Sequence, residues 1–300
     1  MPIPERQLKT WSHQGAVKTA KQTYALIKSA LHRYAFPPGI RYEVYLQGSY
    51  KNNTNILGDS DVDLVVQLNS IFYSNLTEDQ KQQFGFVTAG YGYQEFRSAV
   101  LLALTPYAQS WQIQQGGKSI KIRTPYLPAD VVVCVQYRKY KKPLISDKHF
   151  VEGMIFYAPS EDRWVINYPK PHYHNGVKKN WATRLLYKPT VRMFKNARRY
   201  MIANRGVPYD LAPSYFLECL VYNVPNSRFS GGFYNTFESV LDWLLSASLD
   251  NFVCQNEQVL LFGDTPEQWS KEKAKHFLNA LADLWNNWRY IELWQRFWNN

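Results

Sequence analysis

The sequence predicts an α+β chain: a long N-terminal helix, a mixed sheet-and-helix core to about residue 165, and a helical domain over residues 166–300. Three observations carry this. Apolar residues step by three and four over 17–34, step by two over 61–68 with a second β-branched run over 129–140, and return to helical spacing from 189 onward. Three hundred residues suffice for one large domain or two moderate ones. At 45 % hydrophobic and 20 % charged residues, the composition is that of a globular protein rather than a disordered one.

Val17, Ala20, Tyr24, Ile27, Leu31 and Tyr34 share one helix face, and "FPPG" at 36–39 ends that helix. "RYEVYLQ" reads as a strand, followed by Gly48-Ser49 where a helix is expected to begin. In "DVDLVVQL", Asp61–Leu68, the period of two puts Val62, Leu64, Val66 and Leu68 on one face and Asp61 and Asp63 on the other. Residues 77–108 read as helical with an interruption at "GYGYQ". "SIKIRTPYL" and "ADVVVCVQYRKY" read as strands, the second led by Asp130. Beyond 165, Pro189 suits a first helical position and Gly206 a C-terminal cap, with Val191, Phe194, Ala197 and Met201 as the apolar face between them. Further helices are expected from Pro213-Ser214, over Val240–Leu249, and from a Thr265-Pro266-Glu267-Gln268 capping box through Phe277, Leu281, Leu284 and Trp288.

The apolar runs, such as Ala99–Leu104, are too short to span a bilayer, and "MPIPERQLKTWSHQ" has no charged-then-apolar leader. Cys134, Cys219 and Cys254 fit no metal or disulfide spacing and are expected to be reduced packing residues in a cytoplasmic protein. The net charge of +11, from 35 basic and 24 acidic residues, favours phosphate-bearing partners without separating nucleotides from nucleic acid.

Aspartate is a poor strand former, yet Asp61, Asp63 and Asp130 stand at strand starts. Two on one strand face and a third on a neighbour would repel unless a hard cation neutralised them. Mg²⁺ takes oxygen ligands and also binds substrate phosphates, and two such ions make the clamp for in-line phosphoryl displacement. The bland alternative is a set of solvated acids, which remains the reading for Asp59 in "LGDSD". The context favours the clamp. Gly48-Ser49 lies shortly before Asp61, where glycine admits close backbone approach and serine offers a hydroxyl and an amide to a phosphate.

Gly-Ser, then Asp-Val-Asp, then a third leading Asp resembles the polymerase-β-like nucleotidyltransferase superfamily. "QGSYKNNTNILGDSDVDLVV" is closer still to the bacterial cGAS/DncV-like nucleotidyltransferases (CD-NTases), whose pattern is matched by Gln47–Tyr50, Thr54 and Ser60–Leu64. "LPADVVVCVQY", "NYPKPHYHNGVKKN", "YKPTVRMFKNARRY" and "APSYFLECLVYNVP" resemble its later blocks, while the last seventy residues match no motif. The resemblance implies a bilobed enzyme. A polymerase-β-like core over 1–165 would be completed by a helical lobe over 166–300, with the active site between them. It implies Asp61, Asp63 and Asp130 as catalytic residues and ligands of two Mg²⁺ ions, with Mn²⁺ as an alternative. Gln47, Gly48, Ser49, Lys195 and Ser214 would bind the donor nucleotide's phosphates or the backbone around them. Tyr215 would stack on a base or else be a buried aromatic.

Lys188, Arg192, Lys195 and Arg199 form a basic stripe, ordinarily a solvated face, which by the resemblance would flank the site. Asn167 occupies a region where related enzymes choose between bases, which points to uridine; an ordinary turn asparagine is the competing reading. His172 and His174 are too sparse a set for a metal.

The expected activity is template-independent synthesis of a cyclic oligonucleotide, foremost a cyclic dinucleotide, from NTPs. The product would act on a separate effector protein in bacterial antiphage defence. The enzyme is expected to be a cytoplasmic monomer that needs neither membrane nor nucleic acid. "FWNN" at the end lacks a small-residue tail of the kind some relatives use for conjugation. Two rivals stand: a transferase acting on an RNA 3′ end or on a small-molecule or protein hydroxyl, and a non-catalytic nucleic-acid-binding module. Incubation with NTPs alone separates the first, since a cyclising enzyme needs no other acceptor. A steep salt dependence indifferent to Asp61 would mark the second.

Overall fold

The structure, a computed structural model, describes residues 1–58, 61–87, 89–141 and 149–288. Asp59, Ser60 and the C-terminal "FWNN" therefore lie outside the described residues. The helices are α1 (Glu5–Ser12), α2 (Lys18–His32), α3 (Gly48–Asn52), α4 (Glu78–Gln83), α5 (Tyr93–Leu104), α6 (Pro169–Ala182), α7 (Tyr187–Arg205), α8 (Ser214–Tyr222), α9 (Phe233–Ser246) and α10 (Lys271–Asn286). The strands are β1 (Tyr42–Leu46), β2 (Val62–Ser74), β3 (Gln112–Gln115), β4 (Ile120–Arg123), β5 (Pro128–Tyr140), β6 (Phe150–Ala158) and β7 (Arg163–Asn167). No helix among the described residues is long and apolar enough to cross a membrane.

The chain divides into two compact units, Ala16–Lys51 with Asp59–Pro171, and Met1–Gly15 with Asn52–Gly58 and His172–Asn300. The sequence reading sets one break at residue 165. The structure adds two excursions that no linear reading displays, α1 and the stretch 52–58, both grouped with the C-terminal helices.

The first unit is built on a mixed sheet in the order β1-β2-β5-β4-β3, with β6 on β5 and β7 on β6. β2 and β5 run parallel; β4 and β6 pair antiparallel with the two ends of β5. Val62, Leu64, Val66 and Leu68 are all fully buried, as their alternation predicts. Their face packs on α2 and α5. Tyr42, paired with Leu68, touches the Phe96 ring and gives its hydroxyl to Leu31 O at 3.2 Å, and the Tyr24 hydroxyl bonds Val44 O at 2.9 Å. The opposite face carries the acidic positions.

The second unit has the core that the helical spacings predict. Val191, Phe194, Ala197 and Met201 of α7 are fully buried with Leu217 of α8, Phe237 and Val240 of α9, and Phe277, Leu281 and Leu284 of α10. Gly206 ends α7 in the left-handed region at φ 65°. α7 begins two residues before Pro189, and α9 runs over 233–246 instead of from Val240. The Thr265 capping box is a correction. Gln268 does bond back to Thr265, with Thr265 Oγ1 donating to its Oε1 at 3.0 Å, but its amide nitrogen also donates to Phe262 O at 3.1 Å and closes a turn. α10 starts after Ser270, whose hydroxyl accepts from Lys273 N at 3.1 Å. The three cysteines are free and buried.

Candidate active site

The parallel ladder sets Asp63 of β2 directly beside Asp130 of β5. Neighbouring parallel strands lie about 4.8 Å apart, and paired residues point to the same face. Asp61, two residues earlier and exposed, falls on that face by the same period. The backbone thus aligns the three aspartates, and it does so on the sheet face not covered by α2 and α5.

Gly48 packs against this edge. It takes φ +63°, and a β-carbon there would stand 2.1 Å from Asp63 Oδ2. Only glycine fits both the left-handed backbone and the carboxylate against it. Gln47 N donates to Asp63 O at 2.9 Å, which locks the turn to the start of β2. Ser49, half-buried, is the second residue of the single-turn α3.

A divalent cation is tested here by donor chemistry. The set is oxygen-only, anionic and aligned by register, which suits a hard cation. Among the described residues no three His, Cys, Asp or Glu side chains are gathered closely enough to hold an ion. The alignment is therefore one of strand positions, and the side chains would have to turn toward a cation.

Farther along the same face lies a polar layer that the sequence reading missed. Gln67, 1 % exposed, donates to Asn69 Oδ1 at 2.9 Å and Glu152 Oε1 at 3.0 Å and accepts from the Tyr45 hydroxyl at 2.7 Å. Lys170 Nζ bonds Glu152 at 2.6 Å and also Glu43. Burial pulls the Lys170 ammonium down, but these two carboxylates outweigh it and raise its pKa above the ordinary lysine value. Asn167 shares this face, pairing with Met154, which in turn pairs with Gln136. It is exposed and lies level with Gln136, six residues along β5 from Asp130, so the sheet does not set it beside the carboxylates.

In the helical unit, Ser214 is the first residue of α8, and Pro213 leaves that helix end without a side-chain cap. Tyr215 is 44 % exposed; its ring stacks on that of His172 at 5.4 Å, and its hydroxyl accepts from Asn256 Nδ2 at 3.3 Å. Burial, with the Cys219 and Cys254 thiols beside it, pushes that hydroxyl far above its ordinary range, so it stays protonated. His172 Nε2 is committed to Glu218 at 3.1 Å and His174 is exposed, so the two do not converge.

Lys195 is placed unlike a surface phosphate ligand. It is 2 % exposed, and its Nζ lies 3.1 Å from Thr54 O and 3.9 Å from Glu218 Oε2. Glu218 also accepts from Thr54 Oγ1 at 2.8 Å. Burial would raise the Glu218 carboxyl, yet His172, Lys195 and Thr54 hold it down to about 2. The one signal for this network was a lone acid in the apolar run "SYFLECLVY", since a buried charge requires a partner.

The C-terminal part, residues 174–286, matches the model of the cGAS/DncV-like nucleotidyltransferase C-terminal helical domain. The chain is 60 % identical over 288 residues to a cyclic UMP-AMP synthase of Rhodothermus marinus, covering 96 % of this chain and 99 % of that protein. It is 38 % identical over 300 residues to a cyclic nucleotide synthase of Staphylococcus haemolyticus, covering 96 % and 100 %. Among solved structures it resembles that of the Rhodothermus marinus CdnE c-UMP-AMP synthase with Apcpp and Upnpp. The TM-score is 0.91 at 60 % identity, over 96 % of this chain and 98 % of that one.

Proposed function

The chain belongs to the cGAS/DncV-like nucleotidyltransferases, and we propose that it joins ATP and UTP, without a template, into a cyclic dinucleotide. The observation that carries this reading is the Asp63–Asp130 pair in the parallel ladder, with Gly48 closed against Asp63. The choice of uridine is supported by the identity with a cyclic UMP-AMP synthase and by an exposed Asn167, whose amide can both donate to and accept from a uracil edge.

Asp61, Asp63 and Asp130 would hold divalent cations, two Mg²⁺ or in their stead Mn²⁺. When bound, these supply neutralising charge to the phosphates and make a ribose hydroxyl easier to deprotonate. The chain's own groups do the rest. Asp130 accepts or orients the proton of the ribose hydroxyl that attacks the α-phosphorus of a second NTP, and pyrophosphate leaves. The backbone of Gln47 and Gly48 brings Ser49 to the phosphates, where its hydroxyl and amide donate. In the helical unit Ser214 and the uncapped amides of α8 suit phosphate oxygens, and the open part of the Tyr215 ring suits a base. The linear intermediate then presents its own hydroxyl to its remaining triphosphate, and the same groups close the ring. Catalysis is mostly positioning and charge neutralisation. The cyclic product would act on a separate effector in cytoplasmic antiphage signalling.

The test is mass spectrometry of products from ATP, UTP and Mg²⁺ alone, beside Asp63→Asn. A cyclic product carrying one uridine and one adenosine is expected from the parent, with turnover lower by on the order of 10³-fold in the variant. A variant that folds and turns over like the parent would remove the carboxylates from the mechanism. Transfer only to an added RNA or protein acceptor would remove cyclisation.

A further inference from the structure

In the basic stripe on α7, Arg192, Lys195 and Arg199 are engaged by backbone carbonyls. Arg192, Lys195, Asn196 and Arg199 fall at i, i+3, i+4 and i+7, on one side of the helix. Three of them end on backbone carbonyls of a single stretch. Arg192 donates to Asn53 O and also to Ser12 O, Lys195 to Thr54 O at 3.1 Å, and Arg199 to Leu57 O. Asn196 accepts from Arg199 Nη2 at 2.9 Å and donates to Trp11 O at 2.9 Å. The stretch 52–58 buries Asn52, Thr54, Asn55 and Ile56. From residue 54 to 58 it has no helix or strand of its own. Of the three carbonyls only that of Thr54 belongs to a buried residue, while Asn53 and Leu57 are exposed; none has a helix or strand backbone partner, and cationic donors make the stronger bonds. Gly15 N to Asn55 O at 3.1 Å and Gln14 Nε2 to Asn55 Oδ1 at 2.8 Å tie the opposite side. Burial has drawn the Arg192 guanidinium down to about 10, the mark of a cation removed from water.

What this stretch connects gives the stripe its meaning. On one side the chain carries Gly48 and Ser49, and on the other Asp61 and Asp63. We infer that Arg192, Lys195 and Arg199 are positioning residues, which by pinning the carbonyls of residues 53, 54 and 57 fix the link between the Gly-Ser turn and the aspartate strand. The inference rests on the reading that Asp61 and Asp63 carry the chemistry. It asks for no contact between the two guanidinium groups and the nucleotide. It also accounts for a buried Lys195, whose charge Glu218 balances while holding Thr54 by its side chain.

Arg199 is the exposed member, so its removal leaves the core intact. The experiment compares Arg199→Ala and Arg199→Lys with the parent and with Asp63→Asn. It measures initial rates with ATP and UTP, thermal midpoints, and hydrogen exchange of the amides from 53 to 63. In Arg199→Ala, kcat should fall by on the order of tenfold, the scale of a slightly misplaced catalytic group. KM for each nucleotide should stay within about twofold and the midpoint within about 2 °C. Exchange should quicken at residues 53–63 and not in α9 or α10. Arg199→Lys should recover most of kcat, because an ammonium still donates to Leu57 O. An unchanged kcat in Arg199→Ala, or a loss no larger than its loss of folded protein, overturns the inference. So does Arg199→Lys as poor as Arg199→Ala. If Asp63→Asn is inactive in the same series, the reading of the carboxylates survives that failure; an active Asp63→Asn defeats that reading first.

Discussion

Replacing Glu218 by Gln keeps the shape of a fully enclosed side chain and removes its charge. In the parent that charge faces His172 at 3.1 Å, Lys195 at 3.9 Å and the Thr54 hydroxyl at 2.8 Å. Lys195 is 2 % exposed, so the variant leaves an ammonium buried without its counter-ion. Removing one partner of such a pair costs about 3–5 kcal/mol. The pH dependence gives an independent figure. The Glu218 carboxyl is held at about 2 against an ordinary 4.5. At about 1.4 kcal/mol per unit this is roughly 3 kcal/mol of stability. Because the folded-state value is the depressed one, that stability is fully present above about pH 4.5 and drains away as pH falls toward 2. By pH 3 roughly 2 kcal/mol of it should be gone. Urea unfolding of parent and Glu218→Gln at several pH values between 7 and 3 reads this directly. The gap between the two proteins should be widest at neutral pH and narrow steadily below pH 4.5. A gap constant across that range would mean that the carboxyl carries no charge in the folded protein, and the network as described would be wrong.

Gly48→Ala should be nearly inactive while losing about 1–2 kcal/mol of stability, the cost of a left-handed non-glycine residue. The added carbon would stand 2.1 Å from Asp63 Oδ2. Steady-state rates beside a thermal melt check both halves. Asn167→Ala should lower the use of UTP relative to ATP without shifting the melting temperature, since its side chain is exposed; competition between the two nucleotides measures it. Phe194→Ala, at a fully buried ring 5.0 Å from that of Phe237, should cost about 3–5 kcal/mol in denaturant unfolding.

The register of the candidate site's aspartates was legible in the sequence because β2 and β5 announce themselves. Both are β-branched, and in β2 the period of two separates Asp61 and Asp63 from Val62, Leu64, Val66 and Leu68, although the buried Val65 shares the acidic face. β6 and β7 could not be read so. "FVEGMIFYA" breaks its own alternation with Glu152-Gly153, and "RWVIN" is too short to declare a period. α6 was hidden by poor helix formers, with two prolines and a glycine in "PKPHYHNGVKKNWA". Tertiary partners support it: Asn175 donates to Gln255 O at 2.9 Å, and Gln255 Nε2 donates to His172 O at 2.7 Å. α1 offers only Leu8 and Trp11 in eight residues, and its case rests on packing against the C-terminal helices. The stripe on α7 was visible as spacing, but its use was not. A row of lysine and arginine looks the same in sequence whether it faces water or binds carbonyls.

The membership of α1 in the C-terminal unit bears on how the chain comes off the ribosome. Ile3, Leu8 and Trp11 leave the exit tunnel well before the side chains that cover them, which sit on α7 and beyond, from residue 187 onward. At a translation rate of about 5–20 residues per second, that is a delay of roughly ten to thirty seconds. Throughout it, a short greasy segment hangs unshielded while the sheet unit behind it is already able to assemble. Such a segment is made early and sheltered late.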